Sequence, residues 1–173
     1  MNLSEKIFNY YLRKNKKQSC AFPHWEDVRT VLLLFESDLT EKNLQIKQLV
    51  KELQQEGKEV TAWGYVDAKN ALSAILRDYR ILARRDTNLF HKPKEAHLRD
   101  LSHIHFDVVI DLSMHDILPL RYLMLLSRAG FKAGRQTQEP YLADFMVAVD
   151  EAADPAFLYD QILHYIKNIQ SND

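Results

Sequence analysis

A chain of 173 residues, 46% hydrophobic, 27% charged and 10% aromatic, has the composition of one globular domain and argues against intrinsic disorder. Its net charge of −1 with neutral histidines gives no general electrostatic footprint for nucleic acid or a membrane surface. A single cysteine, Cys20, rules out an intramolecular disulfide and suits a reducing compartment.

In chain order, residues 3–17 are predicted to form an amphipathic helix. Leu3, Ile7, Phe8, Tyr11 and Leu12 share one face at helical spacing. Lys6, Arg13, Lys14, Lys16 and Lys17 against Glu5 make residues 1–17 basic, a net of +4. Asn15–Glu26 loses the periodicity, contains Pro23 and is read as a loop tethering this helix. Thr30–Glu36, TVLLLFE, is a continuous apolar run, the pattern of a strand buried on both faces. Asp38 and Glu41 form an acidic version of a capping box. Ile46, Leu49, Val50 and Leu53 then repeat at helical spacing, and Gly57 stands at the expected stop. Lys58–Tyr65 reads as a second strand, completing a strand–helix–strand unit of parallel-crossover length.

Asp67–Leu76 is expected to be a short helix or loop, Tyr79–Ala83 a short strand, and Pro93–Leu101 a helix starting at its proline. Phe106–Leu112, FDVVIDL, is a clear strand. Asp116 is the expected N-cap of a helix over Leu118–Ala129, closed by Gly130 and apolar nearly all round, hence deeply buried. Phe131–Gly134 and Phe145–Val149 are short strands, the second a candidate mixed edge. Asp154–Pro155 caps a last helix with Leu158, Ile162, Tyr165, Ile166 and Ile169 as its stripe. Residues 139–173 hold seven acids against Lys167, a net of −6. These two charged regions read as solvated faces, complementary to each other in sign.

Strands alternating with helices predict an α/β fold: a three-layer, Rossmann-like open sheet, mainly parallel, with helices on both faces and an added N-terminal amphipathic helix. The expected organisation is a basic helix and tether over residues 1–26 and a single α/β domain over 27–173. Residues 1–17 lack the apolar core of a secretory signal, and no apolar run approaches the roughly 20 residues of a membrane span, so a cytoplasmic protein is expected.

The four glycines are Gly57, Gly64, Gly130 and Gly134. None has G-x-G spacing, and FESDLT follows the first strand, so neither a dinucleotide fingerprint nor a Walker-type loop is present. No G-x-S-x-G elbow occurs. Ligands of open α/β sheets sit outside the carboxyl ends of strands. That rule selects Ser37, Asp38, Asp111, Ser113, His115 and Arg135 as candidate ligand-binding residues. Asp111 is a candidate to orient His115 or, with Ser113, to satisfy loop backbone, and Asp116 is either a cap or a cation ligand. Arg84, Arg85, Arg128 and Arg135 are candidates for clamping an anion. His103 and His105, with His91 and His97 upstream, match no metal-ligand spacing. No catalytic set, metal or cofactor is expected.

The segment FDVVIDLS, a helix, then AGFKAGR is similar to the acceptor-side half of the heptosyltransferases of lipopolysaccharide synthesis, with Asp111, Ala129, Gly130 and Gly134 fitting that pattern. The likeness implies a glycosyltransferase-like ancestry, without the second, nucleotide-sugar domain of those enzymes or their glycine-rich first loop. The chain as a whole resembles an uncharacterised family of small proteins from Bacteroidetes, through its basic N-terminal helix, FDVVIDLS strand, LPLRYL helix and GFKAGR segment. That resemblance implies the architecture and no activity.

The leading expectation is a non-catalytic α/β module serving protein interaction or assembly, with a protein partner meeting the N-terminal helix. The alternative is a module binding a phosphorylated or sugar-like small molecule at the strand carboxyl ends. A third reading places nucleic acid or the ribosome on Tyr10, Tyr11, Arg13, Lys14, Lys16 and Lys17; the near-zero net charge speaks against it.

Overall fold

The apolar runs TVLLLFE and FDVVID form strands and the amphipathic stretches form helices, while the apolar run YLMLL lies in a helix. A computed structural model describes residues 2–15, 20–38, 41–68, 74–75, 79–139, 141–150 and 152–168. In chain order the elements are α1 (Leu3–Lys14), β1 (Thr30–Glu36), α2 (Glu41–Gln55), β2 (Glu59–Val66), β3 (Ala74–Ile75), β4 (Tyr79–Ala83), α3 (Glu95–Ser102), β5 (His105–Asp111), α4 (Leu118–Leu126), β6 (Arg128–Arg135), β7 (Phe145–Val147) and α5 (Pro155–Asn168).

The sheet order is β3-β4-β2-β1-β5-β6-β7. Every pairing is parallel except β3 with β4. The predicted Rossmann-like sheet is therefore present. The mixed edge, however, is β3, not the Phe145–Val149 region, whose β7 runs parallel to β6. The chain winds from β1 outward to β4, then returns to β5 on the other side of β1. The winding direction reverses between β1 and β5, which are neighbours in the sheet.

Two cores flank the sheet. Val31, Leu33 and Phe35 of β1 pack with α2 and α5, while Leu32 and Leu34 pack with α1, α3 and α4. All five are fully buried, which is why the run reads as unbroken apolar sequence. Gly64 of β2 makes room for this packing: a Cβ there would lie 2.6 Å from the Phe35 ring. At the opposite end, Asp107 Oδ2 accepts the Arg29 and Thr30 N–H groups at 2.7 and 2.9 Å, tying β5 to β1. Burial pushes that carboxyl up, but these hydrogen bonds outweigh burial and hold it below the usual range.

Helix ends show where local signals were followed and where they were overruled. Gly57 adopts φ 80°, with Lys58 N–H donating to Leu53 O and Gly57 N–H to Gln54 O, each at 3.0 Å, the Schellman arrangement. Asp154 Oδ1 accepts the Phe157 N–H at 2.7 Å, the predicted cap of α5. The Asp38–Glu41 capping box falls partly outside the described residues, as does most of Asp67–Leu76. Asp116 is not the cap of α4: Ile117 holds that position without a side-chain bond, and Asp116 pairs with Arg135 instead. Gly130 does not close α4, which ends at Leu126. The Ser127 hydroxyl donates to Met124 O, and the buried Lys132 ammonium donates to Met124 O and Leu125 O, so the last carbonyls need no glycine turn. Gly130 instead lies within β6, where a Cβ would be 3.0 Å from the Asp107 carbonyl oxygen. Pro93 precedes α3 and bridges to Thr87.

The N-terminal helix packs on the body. Phe8 and Leu12 are buried, and the Phe8 ring meets Tyr122 of α4 edge-on with centroids 5.0 Å apart. As expected, α4 is buried nearly all round, Arg121 included.

Candidate functional site

Reversal of the winding direction opens a crevice at the carboxyl ends of β1 and β5. β1 delivers Glu36 and then Ser37; the loop after β5 delivers residues 112–117. A cleft of about 400 Å3 lies here, walled by Glu36, Ser37, Tyr65, Asp67, Asp116 and, from α1, Glu5.

Each carboxylate has a fixed setting. His115 Nδ1 lies 2.8 Å from Glu36 Oε2, although the two are far apart in sequence. Asp111 does not orient His115; of its two readings, the one in which it satisfies the loop with Ser113 holds. Asp111 Oδ1 accepts the Ser113 N–H at 3.0 Å and the Ser113 hydroxyl at 2.6 Å. Burial pushes the Asp111 carboxyl up to about 6, against the Ser113 bonds and the Arg135 charge, and with the Asp116 charge. Arg135 Nη2 holds Asp116 Oδ1 at 2.9 Å. Tyr65 is buried and donates its hydroxyl to Asp67; burial first, and then the Asp67 charge, push its phenol up to about 12. Glu5 accepts from Arg121 Nη1 at 3.1 Å, and Arg121 Nη2 also holds Glu139. His91, on the cleft wall, takes a positive φ of 60° in the turn that Asn88 Oδ1 organises by accepting the Phe90 and Lys92 N–H groups.

The six sequence-predicted residues occupy different positions. Ser37 is buried and lines the cleft, with its N–H donating to Tyr65 O at 2.8 Å. His115 reaches the cleft through Glu36, and Arg135 through Asp116. Asp111 and Ser113 bond each other beside it. Asp38 is exposed and is not a wall residue; its charge acts on Tyr79, whose phenol is pushed up to about 12, mainly by burial. Arg128 opens β6 and Arg135 closes it, so these two do not share one anion, and Arg84 and Arg85 lie in the turn after β4. His103 and His105 lie at the amino end of β5, away from the crevice. Among the described residues no group of three His, Cys, Asp or Glu side chains is placed to hold a metal ion.

Sequence reasoning missed Glu36, Tyr65, Asp67 and Glu5. Glu36 ends β1, and Tyr65 and Asp67 flank the last residue of β2, so the carboxyl-end rule reaches all three once β2 is placed beside β1. Glu5 carried no such signal. Across the cleft, Glu5, Glu36, Asp67 and Asp116 face Arg121 and Arg135, leaving a surplus of negative charge.

Fold and cleft together define a Rossmann-like α/β protein with an open crevice at its switch point and no glycine loop beside it. The chain belongs to DUF6913, a family of unknown function, whose model matches residues 2–169. No curated protein and no solved structure matches the chain. No helix among the described residues is long and apolar enough to cross a membrane.

Proposed function

We propose that the chain is a non-catalytic binding module whose β1/β5 crevice takes a small, hydroxyl- or amine-rich ligand. In this reading residues 27–173 form the α/β body, and the N-terminal helix completes one wall of the site. The observation that carries the reading is the cleft of about 400 Å3 at the switch point, the usual ligand position of open α/β sheets. Its lining chooses among ligands. Carboxylates at Glu36, Asp67 and Asp116 accept hydroxyl and ammonium protons and repel phosphate. A sugar-like ligand fits this lining better than a phosphorylated one.

The test is a thermal-shift and calorimetric panel of amino sugars, neutral sugars, polyols and sugar phosphates on the full chain. At 100 times its dissociation constant a ligand stabilises by about 2.7 kcal/mol, a rise of roughly 5–11 °C for a domain of this size. Glu36→Gln with Asp116→Asn abolishes the rise, and mass spectrometry recovers the ligand unchanged. A panel without any shift, or one answered by sugar phosphates alone, overturns the reading.

The assembly reading has its own support: α1 carries an exposed stripe of cations on the side away from the core. The nucleic-acid reading is weaker, because Tyr11, one of its stacking residues, is engaged by Tyr122 and by Lys92.

A further inference from the structure

The basic and acidic ends of the chain are complementary in sign, and the fold decides whether they meet. α1 turns Phe8 and Leu12 inward and leaves Leu3, Lys6, Tyr10, Arg13 and Lys14 exposed. Tyr10 is 63% and Leu3 61% exposed. Lys6, Arg13 and Lys14 make no ion pair among the described residues; Glu5, the acid of this helix, is turned to Arg121. On α5, Leu158, Ile162 and Ile166 face the core, while Phe157, Asp160 and Tyr165 are exposed, with Asp150 and Asp154 exposed just before the helix. Phe157 and Tyr165 are 49% and 42% exposed. The two helices belong to the cores on opposite faces of the sheet. Their opposite charges therefore cannot pair within one molecule.

The spacings match. Lys6, Tyr10 and Arg13 alternate cation, aromatic, cation over about 10 Å of helix, and Asp154, Phe157 and Asp160 alternate anion, aromatic, anion over about 9 Å. A net charge of −1 leaves no long-range repulsion between copies. We infer that α1 of one copy docks on α5 of a second copy. Aromatic side chains supply the buried area, and the charges set register and orientation. Because the two surfaces differ, the contact is head-to-tail, and each added copy leaves one α1 and one α5 surface free for the next, giving a ring or an open row.

Sedimentation velocity of the full chain tests this across a range of protein concentrations, at about 0.02 M and about 0.5 M salt, where screening differs several-fold in range. The mean mass rises with concentration at low salt and falls back at high salt. Arg13→Glu with Lys14→Glu weakens association by about tenfold or more, and so does Asp160→Lys. All three positions are exposed, and Asp154, which caps α5, is left intact. Mixing the two variants restores association, because the reversed α1 of one now meets the reversed α5 of the other. A monomer at every concentration overturns the inference. So does association that survives both reversals, or a mixture that associates no better than either variant alone. A ligand bound in the cleft does not bear on these outcomes, so this inference and the cleft reading fail independently.

Discussion

Burial pushes the Asp111 carboxyl up to about 6, against an ordinary value of 3.8. Between those two values the folded chain binds more protons than the unfolded chain, so stability falls as pH rises through this window and stays lower above it. The loss is at most about 3 kcal/mol. Asp111→Asn keeps an oxygen to accept the Ser113 N–H and hydroxyl and removes the titrating group. Urea unfolding at a series of pH values then shows a flatter profile from 3.8 to 6 than the wild-type chain, and a more stable protein at pH 7. An unchanged profile would mean that Asp111 ionises in the folded protein as it does in the unfolded one. The same residue shows how a site is misread from sequence. Asp111, Ser113 and His115 look like a unit because they are close in the chain. In the fold, Asp111 turns to Ser113, while His115 finds Glu36 on the neighbouring strand.

Elements were legible where local pattern and tertiary environment agree. β1 is buried on both faces and its sequence shows it; α2 stops at a glycine that does adopt positive φ. The end of α4 was not legible, because the groups that satisfy its carbonyls are Ser127 and Lys132 rather than Gly130. The cleft was half legible. Strand ends could be named in advance, but which ends face one another depends on sheet order, and Glu36 meets His115 only because β1 pairs with β5. Strand packing also gives a prediction at this scale. Gly64→Ala places a Cβ 2.6 Å from the Phe35 ring, within the van der Waals radii. The ring is fully buried and has little room to move, so the substitution destabilises by about 1–3 kcal/mol. Phe35→Leu in the same chain vacates the ring position and recovers part of that loss, so the two changes are non-additive. Strict additivity in denaturant unfolding would show that the Phe35 ring does not limit Gly64.

At the scale of the whole molecule, one buried cation joins parts that are distant in sequence. Arg121 of α4 is almost wholly buried, lies over the Phe8 ring at 4.3 Å, and binds Glu5 of α1 and Glu139 beyond β6. Neither glutamate announces this role in the sequence, and an arginine inside LPLRYLMLL looks misplaced until α1 is seen to lie across it. Breaking such a group by removing one member costs far more than replacing it whole, because the remaining charges lose their counter-ion while still partly desolvated. Arg121→Met therefore lowers stability by about 3–5 kcal/mol. Glu5→Gln and Glu139→Gln added to it recover most of the loss. Hydrogen exchange shows where the loss falls: α1 amides lose protection first, and β1 and β5 keep theirs. Because α1 supplies a wall of the cleft and also bears the exposed cations, the same variant weakens ligand binding and self-association together. If Arg121→Met unfolds at the wild-type urea midpoint, the ion cluster does not hold α1 in place, and the helix is retained by its packing through Phe8, Tyr11 and Leu12.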